Sequence, residues 1–432
     1  MEGKIKSIGA REILSSGSSP SLEARVVLES GAEGKASVPY GASAGIHEAF
    51  ILLDGGKRYL GKGMLRAVSN INKKIAPALI GKNSFDQEAI DREMIGLDRT
   101  KNKSNLGANA ILGVSLAVAK AAANEKGIPL YQHIREAFRL PIRDYILPNP
   151  MMVVIEGGKH ADQSTDFQEY MVSPIANDSV KENVRRGIEV YLTLKWLLKE
   201  NGYSVNVGNE GAFAPGGLPS NESPLEIITE AIEKAGYRPG KDIGISLDPA
   251  ASAIYRNGKY VLKKEGKHLS SEEMIEYFSK WTDRYSIITL EDALHEDDWN
   301  AWSKLTARLG SRIPIIGDDL TVTNPERLQK AIDLKAINSI LIKPNQIGTL
   351  TETLETCMLA RKNGFMTVVS HRGGGETNDT SMVDIAVAVN SGFVKVGPSR
   401  GERACKYNRL MEIEDELGKG VRVAGRDFRK VV

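Results

Sequence analysis

Cysteine is nearly absent from this 432-residue chain: Cys357 and Cys405 are its only two. Two thiols cannot build a disulfide framework, which points to a reducing, cytoplasmic setting. Aromatic residues are sparse at 6%, and neither sign of charge prevails, 57 Lys and Arg standing against 55 Asp and Glu for a formal +2. A chain so balanced offers no electrostatic hold on a nucleic-acid backbone. Long hydrophobic runs are missing too. The longest apolar stretch, ANAILGVSLAVAKAAA at 108–123, is broken by Asn109 and Lys120 and falls short of the roughly 20 apolar residues that cross a bilayer. A buried helix stopped by Gly127 and Pro129 accounts for it. The N-terminal stretch carries Lys4, Lys6, Arg11 and Glu12 and no apolar h-region, which argues against a signal peptide. No nucleic-acid partner and no membrane association are therefore expected.

What is present is the 41% hydrophobic and 26% charged composition of a soluble globular protein. The length predicts two or three domains, or one large barrel with an appendage. Residues 1–140 mix strand signals at 25–28 and 35–38 with helix signals at 64–75 and 85–95, the first helix stopped by Pro77; this is an α+β pattern. The segment RLPIRDYILPNP at 139–150 carries three prolines and resists continuous helix. It marks the boundary between an N-terminal domain, 1–140, and a second domain, 141–432.

Beyond residue 240 the pattern is α/β. Short apolar runs alternate with helical stretches, and each run ends on an ionisable side chain: GISLD at Asp248, SIITLE at Glu291, IPIIGD at Asp318. SILIK then ends at Lys343, MTVVSH at His371, and FVKVG carries Lys395. The intervals are 43, 27, 25, 28 and 24 residues, and about 25–28 residues fits a strand, a helix and two loops. The hairpin signal YRNGKY at 255–260 takes up the excess in the first interval. Parallel strands in repeated βα units predict a barrel whose strand C-termini converge on one mouth.

Such a mouth would gather a definite chemistry. Asp248, Glu291 and Asp318 supply three hard oxygen ligands, which suit Mg²⁺ with positions left for water and substrate. Zinc is disfavoured by the lack of a Cys/His set. Lys343, Lys395 and the His371–Arg372 pair would hold an anionic substrate, a carboxylate with a phosphate. A lysine beside Mg²⁺ and other cations is expected to have its pKa lowered, as a general base requires. The implied reaction is proton abstraction α to a carboxylate, and a second acid or base would decide between racemisation and elimination. Glycine-rich loops at 40–45, 156–160, 208–211 and 371–376 are candidates for that partner and for lids.

With these residues in order, the chain resembles the enolase family, the phosphopyruvate hydratases, over nearly its whole length. The motifs are VPYGASAG at 38–45, NKSNLGANAILGVSLAVAKAAA at 102–123, GGKHAD at 157–162, FQEY at 167–170 and VGNEGAFAP at 207–215. SLDPAAS, LEDALHEDDWNAW, GDDLTVTN, LIKPNQIGTLTETL, VSHRGGGET and KYNRL follow. The resemblance implies an α+β N-terminal domain followed by a modified eight-stranded α/β barrel, and glycolytic dehydration of 2-phosphoglycerate to phosphoenolpyruvate. It implies two Mg²⁺ ions, the first held by Asp248, Glu291 and Asp318 and the second helped by Ser43 on a mobile loop. Lys343 would remove the C2 proton, and Glu210, supported by Glu169, would protonate the departing hydroxide. Gln168, His160, Arg372 and Lys395 would contact substrate, with His371 in the same pocket. A homodimer or octamer is implied as well. His47, His133, His268 and His295 match no family ligand and read as surface or packing residues. Asp297, Asp298, Trp299 and Trp302 read as capping and packing a helix, Asp292 and Asp319 as supporting the metal ligands, and Cys357 as core.

The chain also departs from the family pattern. Ser15-Ser-Gly-Ser-Ser-Pro20 replaces an Asp-Ser-Arg-Gly-Asn-Pro segment. Gly373 stands where the family has a serine that contacts the substrate phosphate, and an additional glycine precedes Glu376. Asn209 replaces Asp, Ala212 replaces Gly, and Glu156 and Lys159 replace Asn and Ser beside His160; Ala253 and Pro344 are unusual too. Loss of a hydroxyl donor costs about 1–3 kcal/mol where an oxyanion is left unpaired, although glycine N–H groups can substitute. Three readings stay open: an ordinary though divergent enolase, a paralogue working the same elimination on a phosphonate or substituted phosphoglycerate, and a weakly active binding protein.

Overall fold

The structure is a computed structural model that describes residues 2–41 and 45–431; Ser43 lies outside the described residues. The chain begins with an antiparallel meander, β1 (Ile5–Leu14), β2 (Pro20–Leu28) and β3 (Glu33–Ser37). Alternation along β2 buries Leu22, Ala24, Val26 and Leu28 completely, as one covered sheet face requires. Helices α1 (Gln87–Asp98) and α2 (Ala108–Lys126) follow. The small residues of α2 let it lie close on the sheet. A Cβ at Gly34 of β3 would stand 2.2 Å from the Ala117 carbonyl oxygen, so only glycine allows that approach. Gly127 in the left-handed region, φ 63°, ends the helix.

Two local expectations change. β1 carries no sequence signal because Lys6, Ser7, Arg11 and Leu14 are exposed while only Ile5 and Ile8 point inward. The helix beginning at Leu65 does not stop at Pro77. It passes through a π-helical turn, Ile71–Ile75, into Ala76–Leu79. Pro77 falls in the first turn of that last piece, where the wider turn before it tolerates the missing N–H.

A closed barrel follows: β4 (Asn149–Glu156), β5 (Glu169–Pro174), β6 (Ile243–Asp248), β7 (Ile287–Glu291), β8 (Ile315–Gly317), β9 (Ser339–Ile342), β10 (Met366–Ser370) and β11 (Phe393–Val396), paired in that order with β11 closing on β4. All pairings are parallel except those of β5, which runs against both neighbours. That reversal matters for the site. It brings the first residue of β5, Glu169, into register with the last residues of β4 and β6, Glu156 and Asp248. Tyr255 pairs with Tyr260 in the hairpin after β6.

The N-terminal helices are fastened to the barrel at the start of α3 (Leu350–Lys362). Asp91 Oδ2 accepts the Thr351 N–H at 2.9 Å and its hydroxyl at 2.7 Å, and Ser115 Oγ accepts the Leu350 N–H at 3.0 Å. Side chains from α1 and α2 thus satisfy amides that a helix start leaves without partners. Among the described residues no helix is long and apolar enough to cross a membrane.

Candidate active site

The C-terminal strand ends of the barrel, together with the start of β5, form a mouth. Asp248 and Glu291 are the last residues of β6 and β7, and Asp318, Lys343 and His371 immediately follow β8, β9 and β10. A cavity of about 320 Å³ opens there. Asp248, Asp318, Lys343, His371 and Lys395 line it from the strands or their C-terminal ends, Glu169 from the start of β5, and His160, Gln168 and Glu210 from loops. Arg372 and Gly373 line it as well. Glu291 is fully buried and joins the site through Lys395.

The acids are held by lysines. Lys395 Nζ lies 3.0 Å from Asp248 Oδ2, 2.6 Å from Glu291 Oε1 and 2.8 Å from Glu169 Oε2. Lys343 pairs with Asp318, whose other oxygen accepts from Gln346 Nε2 at 2.7 Å. The pairing bears on the charge of Lys343. Burial is the strongest single influence and opposes its charge, but Asp318, Glu291 and the pairing together raise the pKa above the ordinary lysine range. A cation drawing on these carboxylates would weaken their pull on Lys343, and that is the setting in which a lowered lysine pKa is expected.

The donor set nevertheless fits a hard divalent cation. Glu291 Oε2 is buried without a hydrogen-bond partner. Burial, with Asp248 beside it, lifts the Glu291 pKa well above the carboxylate range despite Lys395. Oxygens of Asp292, Asp318 and Asp319 lie within 4.8 Å of one another. Burial and then Asp318 push Asp319 up to about 8. Asp292 accepts the backbone N–H groups of Asp318 and Asp319, both at 2.9 Å, and so fixes where Asp318 points. A cation here would relieve crowded oxygens, and its neutralising role is partly taken by lysines.

A second cluster faces the same cavity. His160 Nδ1 stands 3.4 Å from Glu210 Oε1 and 3.6 Å from Glu169 Oε1, and His371 Nε2 stands 3.4 Å from Glu210 Oε2. All four are buried. Burial holds both imidazoles below the ordinary histidine range. Burial and then Glu210 lift Glu169 well above the carboxylate range. Burial lifts Glu210 as well, but His371 and His160 bring it down, making it the more acidic member wherever an imidazole carries charge. Two carboxyls this close share a proton rather than both ionising.

Two of the sequence departures meet beside the Arg372–Gly373 loop. Ser16 N–H donates to the Glu376 carbonyl at 2.8 Å, and Glu376 N–H to Ser16 Oγ at 3.1 Å. Gly17 leaves room for the Gly374 carbonyl, which a Cβ would meet at 2.1 Å. The altered 15–20 segment therefore packs directly on the altered glycine loop. Glu376 in turn pairs with Lys406 and accepts the Arg372 N–H, while Arg372 Nη2 reaches Glu48 Oε1 at 2.8 Å.

Other residues sort by contact. Asp298 caps the helix Trp299–Leu309, Trp302 and Cys357 are core, and Asp297 pairs with His47 Nε2 at 3.1 Å. His295 packs on Tyr255 with ring centroids 4.6 Å apart and planes tilted by 40°, and both reach the cavity wall. Sequence reasoning missed Glu48, the partner of Arg372, and the grip of Glu376; neither carries a local signal, because each acts across a domain or loop closure.

Comparison with known families agrees over nearly the whole chain. Residues 144–432 match the enolase C-terminal TIM barrel domain, and residues 5–134 match the enolase N-terminal domain.

Proposed function

The chain belongs to the enolase family, and we propose that it dehydrates 2-phosphoglycerate to phosphoenolpyruvate with Mg²⁺ as cofactor. The observation that carries this reading is that a partly buried lysine, Lys343, and a buried carboxyl pair, Glu169 and Glu210, line one 320 Å³ cavity. Asp248, Glu291 and Asp318 would hold the first Mg²⁺, and Ser43 would help with a second. The metal, when bound, supplies charge that stabilises the ene-diolate form of the substrate carboxylate.

The remaining work falls to this chain. Arg372, Lys395, Gln168 and His160 orient the anionic substrate, and His371 steadies Glu210. Once Asp318 is engaged elsewhere, Lys343 loses the partner that keeps it protonated and takes the C2 proton on Nζ. Glu210, sharing its proton with Glu169, delivers it to the C3 hydroxyl, which departs as water. The electron pair of the broken C2–H bond becomes the new double bond, so atoms and charge balance. As in the family, a glycolytic role in the cytoplasm and a homodimeric or octameric state belong to this proposal.

A specific observation favours a second reading. Gly373 offers no hydroxyl where the family binds phosphate, and Lys159 lines the same cavity, which suits the same elimination on a phosphonate or substituted phosphoglycerate. A weakly active binding protein would have no need of the Lys343 and Glu210 pair. Enolpyruvate absorbance with 2-phosphoglycerate, with Mg²⁺ and with a chelator, tests the choice. Chelator-sensitive turnover supports the dehydratase; silence from folded, metal-loaded protein refutes it in favour of the related substrates.

A further inference from the structure

We propose that Glu156 is a positioning residue for Glu210, gripping the main chain on either side of that acid and fixing where its carboxyl stands. This rests on the reading of Glu210 as a proton donor. Glu156 ends β4 and is completely buried. Its Oε1 accepts the Glu210 N–H and the Ala212 N–H, each at 3.0 Å, and its Oε2 lies 3.1 Å from the Glu210 nitrogen.

The rest of the turn is bound just as completely. Arg403 Nη2 donates to the Asn209 carbonyl at 2.8 Å. The Tyr191 hydroxyl and Ser399 Oγ donate to the Gly211 carbonyl at 2.9 and 2.6 Å. The Asn209 N–H donates to the His160 carbonyl at 3.3 Å, so the main chain is tied on both sides of the acid, and Glu156 holds the N–H groups of Glu210 and Ala212. Gly208 is part of the fit, since a Cβ there would meet the Glu156 carboxyl carbon at 2.7 Å.

Two sequence departures become one here. Residues 156 and 209, Glu and Asn in this chain, lie on either side of the Glu210 backbone, so the acidic member has moved from the turn to the strand that supports it. The charge has a consequence. Burial and then the nearby Glu210 carboxyl push Glu156 up to about 8, with Arg403 pulling it down. Repulsion is mutual, so at alkaline pH an ionised Glu156 favours the protonated form of Glu210, against the two imidazoles that hold Glu210 low.

Substitution separates grip from packing. Glu156→Ala removes both acceptors and should lower kcat at least about 30-fold, inside the range of a misplaced acid, with KM changed less than about threefold. Glu156→Gln keeps an oxygen that can accept both N–H groups and should recover most of kcat, while the alkaline limb of its pH profile moves to lower pH. Hydrogen exchange across 208–213 gives a readout without turnover: faster in the alanine variant, unchanged in the glutamine variant. Equal kcat in wild type and Glu156→Ala, or no gain in exchange, would overturn the proposal. If Glu156→Ala does not fold, the pH limb of Glu156→Gln decides, an unmoved limb counting against it. Should wild type itself fail to act on 2-phosphoglycerate, the functional reading fails and the exchange experiment still judges the grip.

Discussion

Gly373 and Glu210 share one volume: a Cβ built on the glycine would stand 2.0 Å from Glu210 Oε1 and 2.7 Å from His160 Cε1. The glycine therefore does more than lack a hydroxyl. It makes room for the acid as the acid is placed in this chain. Gly373→Ser restores the family residue, yet it must displace a buried carboxylate or a buried imidazole. We expect kcat to fall about tenfold or more and stability to fall by about 1–3 kcal/mol, the usual cost of overpacking. Steady-state kinetics and thermal melts of the variant check this, and a gain in turnover would show that the acid moves aside freely.

Lys343→Met tests the base. The substitution removes the ion pair with Asp318, but Asp318 keeps its hydrogen bond from Gln346 and remains available to a cation. The fold should survive, while kcat should drop by about 10³-fold, within the range of a lost general base. Circular dichroism and an Mg²⁺ titration of the variant establish that structure and metal binding persist. Near-normal turnover in a folded, metal-binding Lys343→Met protein would remove Lys343 from the role.

Metal removal should leave a folded protein. Lys395 and Lys343 already neutralise part of the charge on Asp248, Glu291 and Asp318, so chelation takes away a ligand rather than the only counter-charge. Binding to the native state alone stabilises it by about 2.7 kcal/mol at a hundredfold excess over Kd. The melting temperature should rise with Mg²⁺ concentration and the rise should vanish in Asp248→Asn. A chelated sample that unfolds at room temperature would contradict the lysine pairing.

How far the sequence could carry these inferences depended on the kind of signal. The charged strand ends from Asp248 to Lys395 were legible because parallel barrel strands are buried on both faces, so each apolar run stops abruptly where the chain meets the mouth. Glu169 was reached only through the resemblance, since nothing in its local sequence announces that β5 runs backwards. The same holds for contacts that close across the fold. Glu48 meets Arg372 from 324 positions away, and no periodicity encodes such a pairing. The partner of Lys343 was not legible either: a list of charges does not say which will be nearest neighbours, and Asp318 is the carboxylate that meets it.

The domain junction gives the last prediction, a dependence of stability on pH. Burial pushes Asp91 up to about 6, in spite of the donors Thr351, Ser115 and Gln87 around it. Its unfolded value is near 3.8, so the native state binds the proton more tightly than the unfolded chain. The contribution is fully present below the unfolded pKa and is lost as pH rises through about 6. A shift of that size corresponds to at most about 3 kcal/mol across the window. Asp91→Asn keeps an oxygen that can accept from Thr351 and has no proton to lose. Denaturant melts should show wild type gaining on the variant as pH falls from about 6 to 4, whereas parallel stability curves would mean that the Asp91 carboxyl titrates no differently in the folded protein than in the unfolded chain.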